Sequence, residues 1–438
     1  MLSRRDFLVR TSGGVMLATS SFARGSENRA PSRASHSVSR VKSASLPEHA
    51  VIRTDAANNP MAITWAADDR QFITSGDGPM WPAIPEDDYH TTELYALNGA
   101  PENRSHERIN TYPRVGLWDF LSGAAAPYYC EAMLVVDGIL YQYLSTGPRW
   151  VNGAAELKNP NQHMNGAKVI YSSDGGRTWH NQDRSTPVAF ELPQDQTRKN
   201  MVFLNEPQFS FSILSVLQMG RDYKDNQDGY IYLYSPNGVT EGSMNEAVLC
   251  RVPKDRILDR ARYEFFMGMT SGAQARWDKD IAARVPIHTF PSGYVATDSN
   301  YPAGWRVSVA YNAPLAMYMM ISGADGSDGS AGADGVVSTK SYWGIWMAQN
   351  PWGPWYQVYE DTKRGSLVQA RIAPKWISED GLSFWVVFGE GRKDDSVKDD
   401  PMSLYTAHSR DEFWRARTLW GQANPGCMSI QRIDLAVG

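Results

Sequence analysis

Two distant segments of this chain share one pattern, and that pattern limits the fold to a repeated β architecture. The first begins at Ala62 and reads AITWAADDRQFITSGDG; the second begins at Ala373 and reads APKWISEDGLSFWVVFGEG. In each, a strand with a Trp enters an acidic turn, and the returning apolar strand ends in Gly, a carboxylate and Gly. The two carboxylates are Asp77 and Glu390. A β-hairpin that recurs so far along a chain is typical of a radial array of sheets.

Three more hairpins of this kind lie between these two. They begin at Ala132, Phe209 and Val307, and each alternates apolar and aromatic residues over short strands around a polar turn. Five hairpins predict five blades. We therefore expect an all-β, five-bladed β-propeller that forms a single large domain over residues 46–438.

One turn has the spacing of an Asp-box. In VIYSSDGGRTWHN, the characteristic positions are Ser172, Asp174, Gly176 and Trp179. The Asp side chain of such a turn accepts backbone hydrogen bonds, the Gly allows a positive φ, and the Trp packs between blades. We expect a structural role at the outer edge of a blade, and an equivalent turn around Trp352 in NPWGPW.

The N-terminal residues predict export. Residues 3–8, SRRDFL, match the twin-arginine pattern, and a mildly apolar stretch then leads to Ser21-Phe22-Ala23, a small-x-Ala cleavage site. We expect residues 1–23 to be a twin-arginine signal peptide. Residues 24–45 are rich in Ser and Arg with almost nothing to bury, so we expect a disordered leader there. The predicted location is periplasmic or secreted.

Composition excludes several classes of function. Cleavage of the signal would remove three Arg and one Asp, which changes the formal net charge from −5 to −7 and gives no basic surface for nucleic acid. No later stretch has the roughly 18 apolar residues that a membrane span needs. Cys130, Cys250 and Cys427 lack CxxC spacing, which excludes a cysteine metal site and a disulfide framework but leaves one disulfide open. We expect no cofactor and assign no residue to a metal.

Several segments resemble those of a bacterial propeller family, formerly a domain of unknown function, that includes the endo-D-arabinanases. The most specific are RVPKDRILDR followed by YEFF, and NPWGPW, and the resemblance extends from about Ala62 to Glu390. It implies a five-bladed propeller. For members of known activity, it also implies cleavage of glycosidic bonds in a furanose polymer.

Acidic residues near the inner strands are the candidates for chemistry. Hydrolysis of a glycoside needs one carboxyl group to protonate the leaving oxygen and a second to activate water or to attack directly. Asp77 and Glu390 are the preferred pair, because their flanking glycines let the backbone bend and aim each acid inward. We expect these two to face each other across the channel mouth. Glu206, Glu131 and Asp298 precede the inner strands of other blades and are further candidates.

A sugar also needs flat apolar faces and hydrogen-bonding side chains. The candidates for substrate binding are Trp81, Trp118, Trp150, Trp305, Tyr311, Arg114, Arg149 and Arg392. His90, His163 and His288 are candidate ligands or bases.

These features predict an exported glycoside hydrolase of the endo-arabinanase kind. Its substrate would be a furanoside or another cell-surface or environmental polysaccharide, cleaved by paired carboxylates, and its precursor would meet the twin-arginine export machinery. Two alternatives stay open. One is a carbohydrate-binding propeller without catalysis; the other is a polysaccharide lyase, in which Tyr or His abstracts a proton and Arg neutralises a uronate.

Overall fold

The computed structural model places five antiparallel sheets around one axis. It describes residues 40–56, 58–81, 89–147, 164–238, 244–291, 294, 305, 307–325, 341–362, 367–390, 409–415 and 427–438. Strands are numbered β1 to β24 in chain order. Each sheet is one blade of a five-bladed β-propeller, so the predicted fold class is confirmed.

The strands of each blade follow one another from the axis outward. Blade 1 contains β3 (Pro60–Trp65), β4 (Gln71–Gly76), β5 (Thr92–Asn98) and β6 (Ser105–Arg108). Blade 2 contains β7 (Tyr128–Val136), β8 (Ile139–Thr146), β9 (Gly166–Ser172) and β10 (His180–Asn181). Blade 3 contains β12 (Ser215–Val216), β13 (Tyr230–Pro236), β14 (Glu246–Pro253), β15 (Glu264–Met269) and β16 (Ala275–Asp278).

Blade 4 contains β18 (Val307–Asn312), β19 (Met317–Asp325), β20 (Ser341–Ala348) and β21 (Tyr356–Asp361). Blade 5 contains β22 (Leu367–Ile377), β23 (Ser383–Glu390), β24 (Cys427–Val437) and β1 (Val41–Ser45). Short strands extend three blades: β11 (Phe203–Leu204) pairs with β9, β17 (His288–Thr289) with β14, and β2 (Val51–Arg53) with β24.

Helical structure among the described residues is limited to short pieces. Helix α1 spans Leu117–Leu121, and residues 410–415 form a helical turn. The 3₁₀ turns are Glu48–Ala50, Pro101–Asn103, Pro193–Asp195, Pro207–Phe209, Arg221–Tyr223, Arg260–Arg262 and Ile281–Ala283. None of the helices in this part of the chain is long and apolar enough to cross a membrane.

The inner strands form a closed ring in the order β3, β7, β12, β18, β22 and back to β3. They run in one direction, as the parallel bridge between Gln218 and Ala310 illustrates for blades 3 and 4. The propeller therefore has a front face, where each first strand begins and each second strand ends. Its back face carries the turns from first to second strands, such as Asp68-Asp69 of blade 1. Asp77 follows the last residue of β4, Gly76, and so lies at the front face.

Blade 5 is completed by the most N-terminal strand that the structure describes. In β1, Ser45 pairs with Asp434 and Val41 with Val437, and the Val41 side chain is fully buried. The predicted disordered leader is therefore too long at its C-terminal end, because its residues 41–45 belong to the propeller. Val41, the largest apolar residue of RVKSAS, is buried where β1 packs between β21 and β24.

The Asp-box is confirmed as a structural turn between β9 and β10. Asp174 Oδ1 accepts hydrogen bonds from the backbone N–H of Arg177 (3.0 Å) and Thr178 (2.9 Å), and Gly176 has a φ of 91°. Burial slightly disfavours ionisation, but these bonds and those from Thr178 and Ser172 hydroxyls lower the pKa of Asp174 to about 2. The Trp179 indole donates to the Gly176 carbonyl at 3.1 Å and is 5% exposed.

Trp179 anchors this turn between blades 1 and 2, where it meets Tyr112 edge to face. Trp179→Ala should lower the free energy of unfolding by about 3–5 kcal/mol, because a large buried aromatic leaves a cavity. Trp352→Ala at the equivalent turn of blade 4 should cost less, since Trp352 is only half-buried against Trp277. Chemical denaturation of both variants measures this. A Trp179→Ala protein of unchanged stability would contradict the structural role.

Candidate active site

A small, partly open cavity lies where the five inner strands meet, and all five contribute residues to its lining. The lining residues are Ala62, Ile63, Glu131, Ala132, Met133, Ser215, Val216, Gln218, Val307, Ser308 and Arg371. Two of these are charged, Glu131 of blade 2 and Arg371 of blade 5. Their side chains are 10% and 6% exposed, and Arg371 Nη2 lies 3.6 Å from Glu131 Oε2.

Three inner strands carry one extra residue near this cavity. The register shifts between Pro60 and Ala62 in β3, between Cys130 and Ala132 in β7, and between Val368 and Arg371 in β22. Such β-bulges bend a strand and re-aim its side chains, and they occur often beside active sites. Glu131 is the bulged residue of β7, so the bulge sets the direction of this carboxylate.

Arg371 connects four blades at the centre of the ring. From blade 5, its Nε donates to the Met61 carbonyl of blade 1, and Nη1 donates to the Val307 carbonyl of blade 4 at 3.2 Å. Nη2 meets Glu131 of blade 2. A guanidinium group can serve three acceptors at once because its donors lie in a fixed planar fork.

Asp77 lies at the front face in a backbone conformation that few residues adopt. Its φ is 55°, and Gly78 follows with a φ of 131°, so the chain turns sharply where the predicted Gly-carboxylate-Gly pattern ends β4. The Asp77 N–H donates to the Thr91 carbonyl at 3.3 Å. Its Oδ1 accepts a hydrogen bond of 2.6 Å from the Tyr129 hydroxyl of blade 2.

Tyr129 links Asp77 to the strand that carries Glu131. Tyr129 and Glu131 are two residues apart in β7 and both are half-buried, whereas Tyr128 and Cys130 are buried. Glu131 is the bulged residue, so its direction is set by the bulge and not by the alternation of the strand. The Asp77 carboxylate, which accepts from the Tyr129 hydroxyl, and the Glu131 carboxylate therefore lie at the same short stretch of β7.

The structure describes the backbone of Glu390 but not its side chain. Glu390 is the last residue of β23 and pairs with Cys427, the first residue of β24. Gly76 at the end of β4 pairs in the same way with Thr92, the first residue of β5. Glu390 and Asp77 therefore end equivalent strands of adjacent blades at the front face. That they face each other across the mouth stays a prediction.

Glu206 lies in the ring but does not line the axial cavity. It is 4% exposed, and its carboxylate accepts hydrogen bonds from Arg198 and, at 3.2 Å, from Arg260. The Arg260 guanidinium also stacks over Phe203 and Phe265. These contacts indicate that Glu206 has a structural role and joins blades 2 and 3. Asp298, the remaining acidic candidate, lies outside the described residues.

Two of the predicted aromatic platforms are buried in the core. Trp81 is 3% exposed, stacks on His106 and donates to Asp55 at 2.8 Å. Trp305 is 1% exposed and donates to Ser215 Oγ at 3.1 Å. From their sequence positions we expected both to lie beside the mouth loops. Their rings are instead covered by neighbouring blades and offer no surface to a sugar.

The other binding candidates are spread over both faces. Tyr311 is half-buried against Tyr318 at the end of β18, which is the back face. Trp118 of α1 is partly buried at the front face, and its ring centroid lies 5.7 Å from that of Phe413 in the 410–415 turn. Arg114 Nη1 lies 3.7 Å from Glu93 Oε2. Trp150, Arg149 and Arg392 lie outside the described residues.

His288 is a half-buried residue of a short strand rather than a base in a loop. It lies in β17, edge to face with Phe290 and Trp346. Burial lowers the pKa of His288 to about 4, so its neutral form is favoured at physiological pH. His163 lies outside the described residues. No group of three or more His, Cys, Asp or Glu side chains within the described ranges is arranged to hold a metal ion.

Sequence reasoning missed Tyr129, Arg371 and Glu93. Arg371 and Glu93 are charged residues within largely apolar strands, in LVQARIAP and TELYAL, whereas Tyr129 in YYCEAM has no such signal. An isolated polar residue in a buried strand needs a partner, which is the signal that was available. The partners themselves come from other blades, so the sequence does not name them.

Comparison with solved structures shows other propellers with little sequence similarity. One is a putative hydrolase from Bacteroides ovatus, with a TM-score of 0.44 and 11% identity over 87% of this chain and 86% of that one. Another is the catalytic domain of a GH62 α-L-arabinofuranosidase from Coprinopsis cinerea, with a TM-score of 0.38 and 11% identity over 90% and 98%. A third is the GH43 protein BlXynB from Bacillus licheniformis, with a TM-score of 0.38 and 9% identity over 79% and 51%.

At these identities and TM-scores the similarity assigns no activity to this chain. No family model matches the sequence. No curated protein matches it either.

Arg371→Leu should destabilise the protein by about 3–5 kcal/mol, because it leaves the buried Glu131 carboxylate without its cation. Arg432→Leu is the matched control: Arg432 is exposed and pairs with Asp434, a surface contact worth about 0–1 kcal/mol. Urea unfolding of both variants measures the difference. Equal stabilities for the two variants would show that the axial pair does not hold the ring together.

Proposed function

We propose that this protein is an exported glycoside hydrolase that cleaves a furanoside or another cell-surface or environmental polysaccharide with paired carboxylates. One observation carries the proposal: two carboxylates from neighbouring blades lie at one short stretch of β7, where Tyr129 donates to Asp77 and Glu131 lines the axial cavity. Acid/base cleavage of a glycoside requires two carboxyl groups near one site.

The two carboxylates have different donors, and this supports different roles. The Tyr129 hydroxyl donates to Asp77, and a hydrogen bond given to a carboxylate favours its charged form. We assign Asp77 as the general base or nucleophile. Glu131 lies beside the Arg371 guanidinium. We place Glu131 and Arg371 at the cavity floor, where they bind sugar hydroxyls.

Glu390 is our candidate for the general acid. Its support is its position, since it ends the strand equivalent to that of Asp77 in the adjacent blade. A general acid must stay protonated near neutral pH until it gives its proton to the leaving oxygen.

The two alternatives receive less support from the described residues. A lyase needs an arginine that is available to neutralise a uronate, but Arg371 and Arg114 are both engaged by buried carboxylates. A protein that only binds sugar needs an aromatic floor, but Trp81 and Trp305 are buried. We therefore rank hydrolysis above lysis and above binding alone.

Asp77→Asn and Glu390→Gln should each lower kcat by about 10²–10⁴-fold, the usual loss for a general acid or base. Asp69→Asn is the matched control. Asp69 lies at the back face. Its carboxylate accepts hydrogen bonds from Lys375 Nζ and from Trp65 Nε1, and these bonds, chiefly that from Lys375, lower the pKa of Asp69. Activity is measured as reducing ends released from a panel of D-arabinan, L-arabinan, xylan and fructan, with unfolding followed in parallel. Full activity in Asp77→Asn would remove Asp77 from the mechanism.

The same panel, extended to uronate polymers, distinguishes the alternatives. Release of unsaturated uronates, seen by their ultraviolet absorbance, would establish a lyase. Binding without product from any polymer would establish a carbohydrate-binding protein.

We also propose that the twin-arginine signal exports the folded protein to the periplasm or beyond, with cleavage after Ala23. Replacement of Arg4 and Arg5 by Lys should retain the precursor in the cytoplasm, because the export machinery reads the arginine pair. Cell fractionation and the mass of the N-terminus measure both points. Unchanged export of the Lys variant would contradict this signal.

A further inference from the structure

A histidine at the front face has one ring nitrogen fixed by a buried carboxylate. His90 Nδ1 lies 2.6 Å from Glu93 Oε1, and the Glu93 side chain is completely buried. Arg108 donates to both Glu93 oxygens, at 3.1 Å and 3.0 Å. A carboxylate whose two oxygens already accept hydrogen bonds is an acceptor toward the imidazole as well. His90 Nδ1 therefore carries the proton in this contact.

The tautomer of His90 follows from this contact. With the proton on Nδ1, the neutral ring presents the lone pair of Nε2 on its opposite side. The ring is 14% exposed, and the bond to Glu93 is its one side-chain hydrogen bond within the described ranges. His90 thus offers an oriented acceptor on its exposed side.

His90 lies next to the hydrogen bonds that hold Asp77. The following residue, Thr91, accepts the Asp77 N–H through its carbonyl, and its hydroxyl donates to the Tyr128 carbonyl at 2.9 Å. Tyr129, the next residue of β7, donates to Asp77. His90 thus directly precedes a closed circuit of hydrogen bonds that joins blade 1 to blade 2 at the proposed catalytic base.

We propose that His90 Nε2 contacts the substrate of this site and accepts a hydrogen bond from a hydroxyl group of the sugar bound against Asp77. Glu93 is its positioning residue: it acts through His90 by fixing the tautomer and the ring plane, and Arg108 fixes Glu93 in turn. The inference rests on the proposed function, and it adds a neutral sugar hydroxyl as the recognised group. A purely structural role for His90 would need only the Nδ1 contact.

Two substitutions separate the two ring nitrogens. In His90→Asn the side-chain amide occupies roughly the place of Nδ1, so it keeps the donor to Glu93 and removes Nε2. In His90→Gln the amide reaches the place of Nε2 and gives up the contact with Glu93. Asn should therefore preserve the fold and weaken binding of sugar, and Gln should retain more of the binding.

The probe is the polymer of the panel that wild-type protein binds, titrated calorimetrically into each variant in an Asp77→Asn background that does not consume it. We expect His90→Asn to raise Kd about ten-fold, the change expected from loss of one hydrogen bond, with unfolding unchanged. Wild-type affinity in His90→Asn would overturn the proposal. It would leave the hydrolase proposal intact, because that proposal is tested by cleavage.

A second measurement covers the case in which His90→Asn folds poorly. In ¹⁵N-histidine-labelled protein, the Nε2 resonance of His90 should move when the polymer is added, because its lone pair gains a hydrogen bond. A resonance that stays in place while the polymer binds would overturn the contact. Wild-type protein that neither binds nor cleaves any polymer of the panel would overturn the hydrolase proposal and the His90 contact together.

Discussion

The closed ring depends on one buried guanidinium group where the last blade meets the first. At the axis, a neutral hydrogen bond joins each of the other four pairs of neighbouring blades. The donors and acceptors are Val135 N–H to Thr64 Oγ1, Gln218 Nε2 to the Met133 carbonyl, Ser215 Oγ to the Val307 carbonyl, and Ile372 N–H to Ser308 Oγ. Arg371 makes the fifth, to Met61 O, and also reaches blades 2 and 4. A charge in this place costs desolvation, and the Glu131 carboxylate beside it offsets part of that cost.

The same pair connects stability to the candidate chemistry. Glu131 is aimed at Arg371 by a β-bulge, and equivalent bulges occur in the inner strands of blades 1 and 5. Gln369 within the third bulge has a φ of 59°, a strained value for a residue with a side chain. Such strain persists only where the surroundings determine it, and Gln369 is buried two residues before Arg371, which lines the cavity. The centre that closes the ring is therefore also the floor of the candidate site.

The sequence predicted those parts of the fold that short segments determine. Five hairpins and the Asp-box at Asp174 depend on turn residues and alternation within about 20 residues, and the structure has them all. Burial of Trp81 and Trp305 depends on neighbouring blades, and the sequence does not place those. The pairing of Arg371 with Glu131 joins residues 240 positions apart. Single polar residues in apolar strands signalled that such partners exist, but only the folded ring identifies them.

Three carboxylates at or near the front face avoid mutual repulsion because each has its own donor. Asp77 accepts from the phenol of Tyr129, Glu131 lies beside Arg371, and Glu93 accepts from Arg108 and His90. A neutral donor and a cation stabilise a carboxylate to different extents, so we assign proton transfer to Asp77 and sugar binding to Glu131. The donors to Asp77 and Glu131 come from other blades than the carboxylates themselves. The arrangement of charge at the site therefore exists only while the ring is closed, and loss of the Arg371 junction should disturb sugar binding before the outer strands unfold.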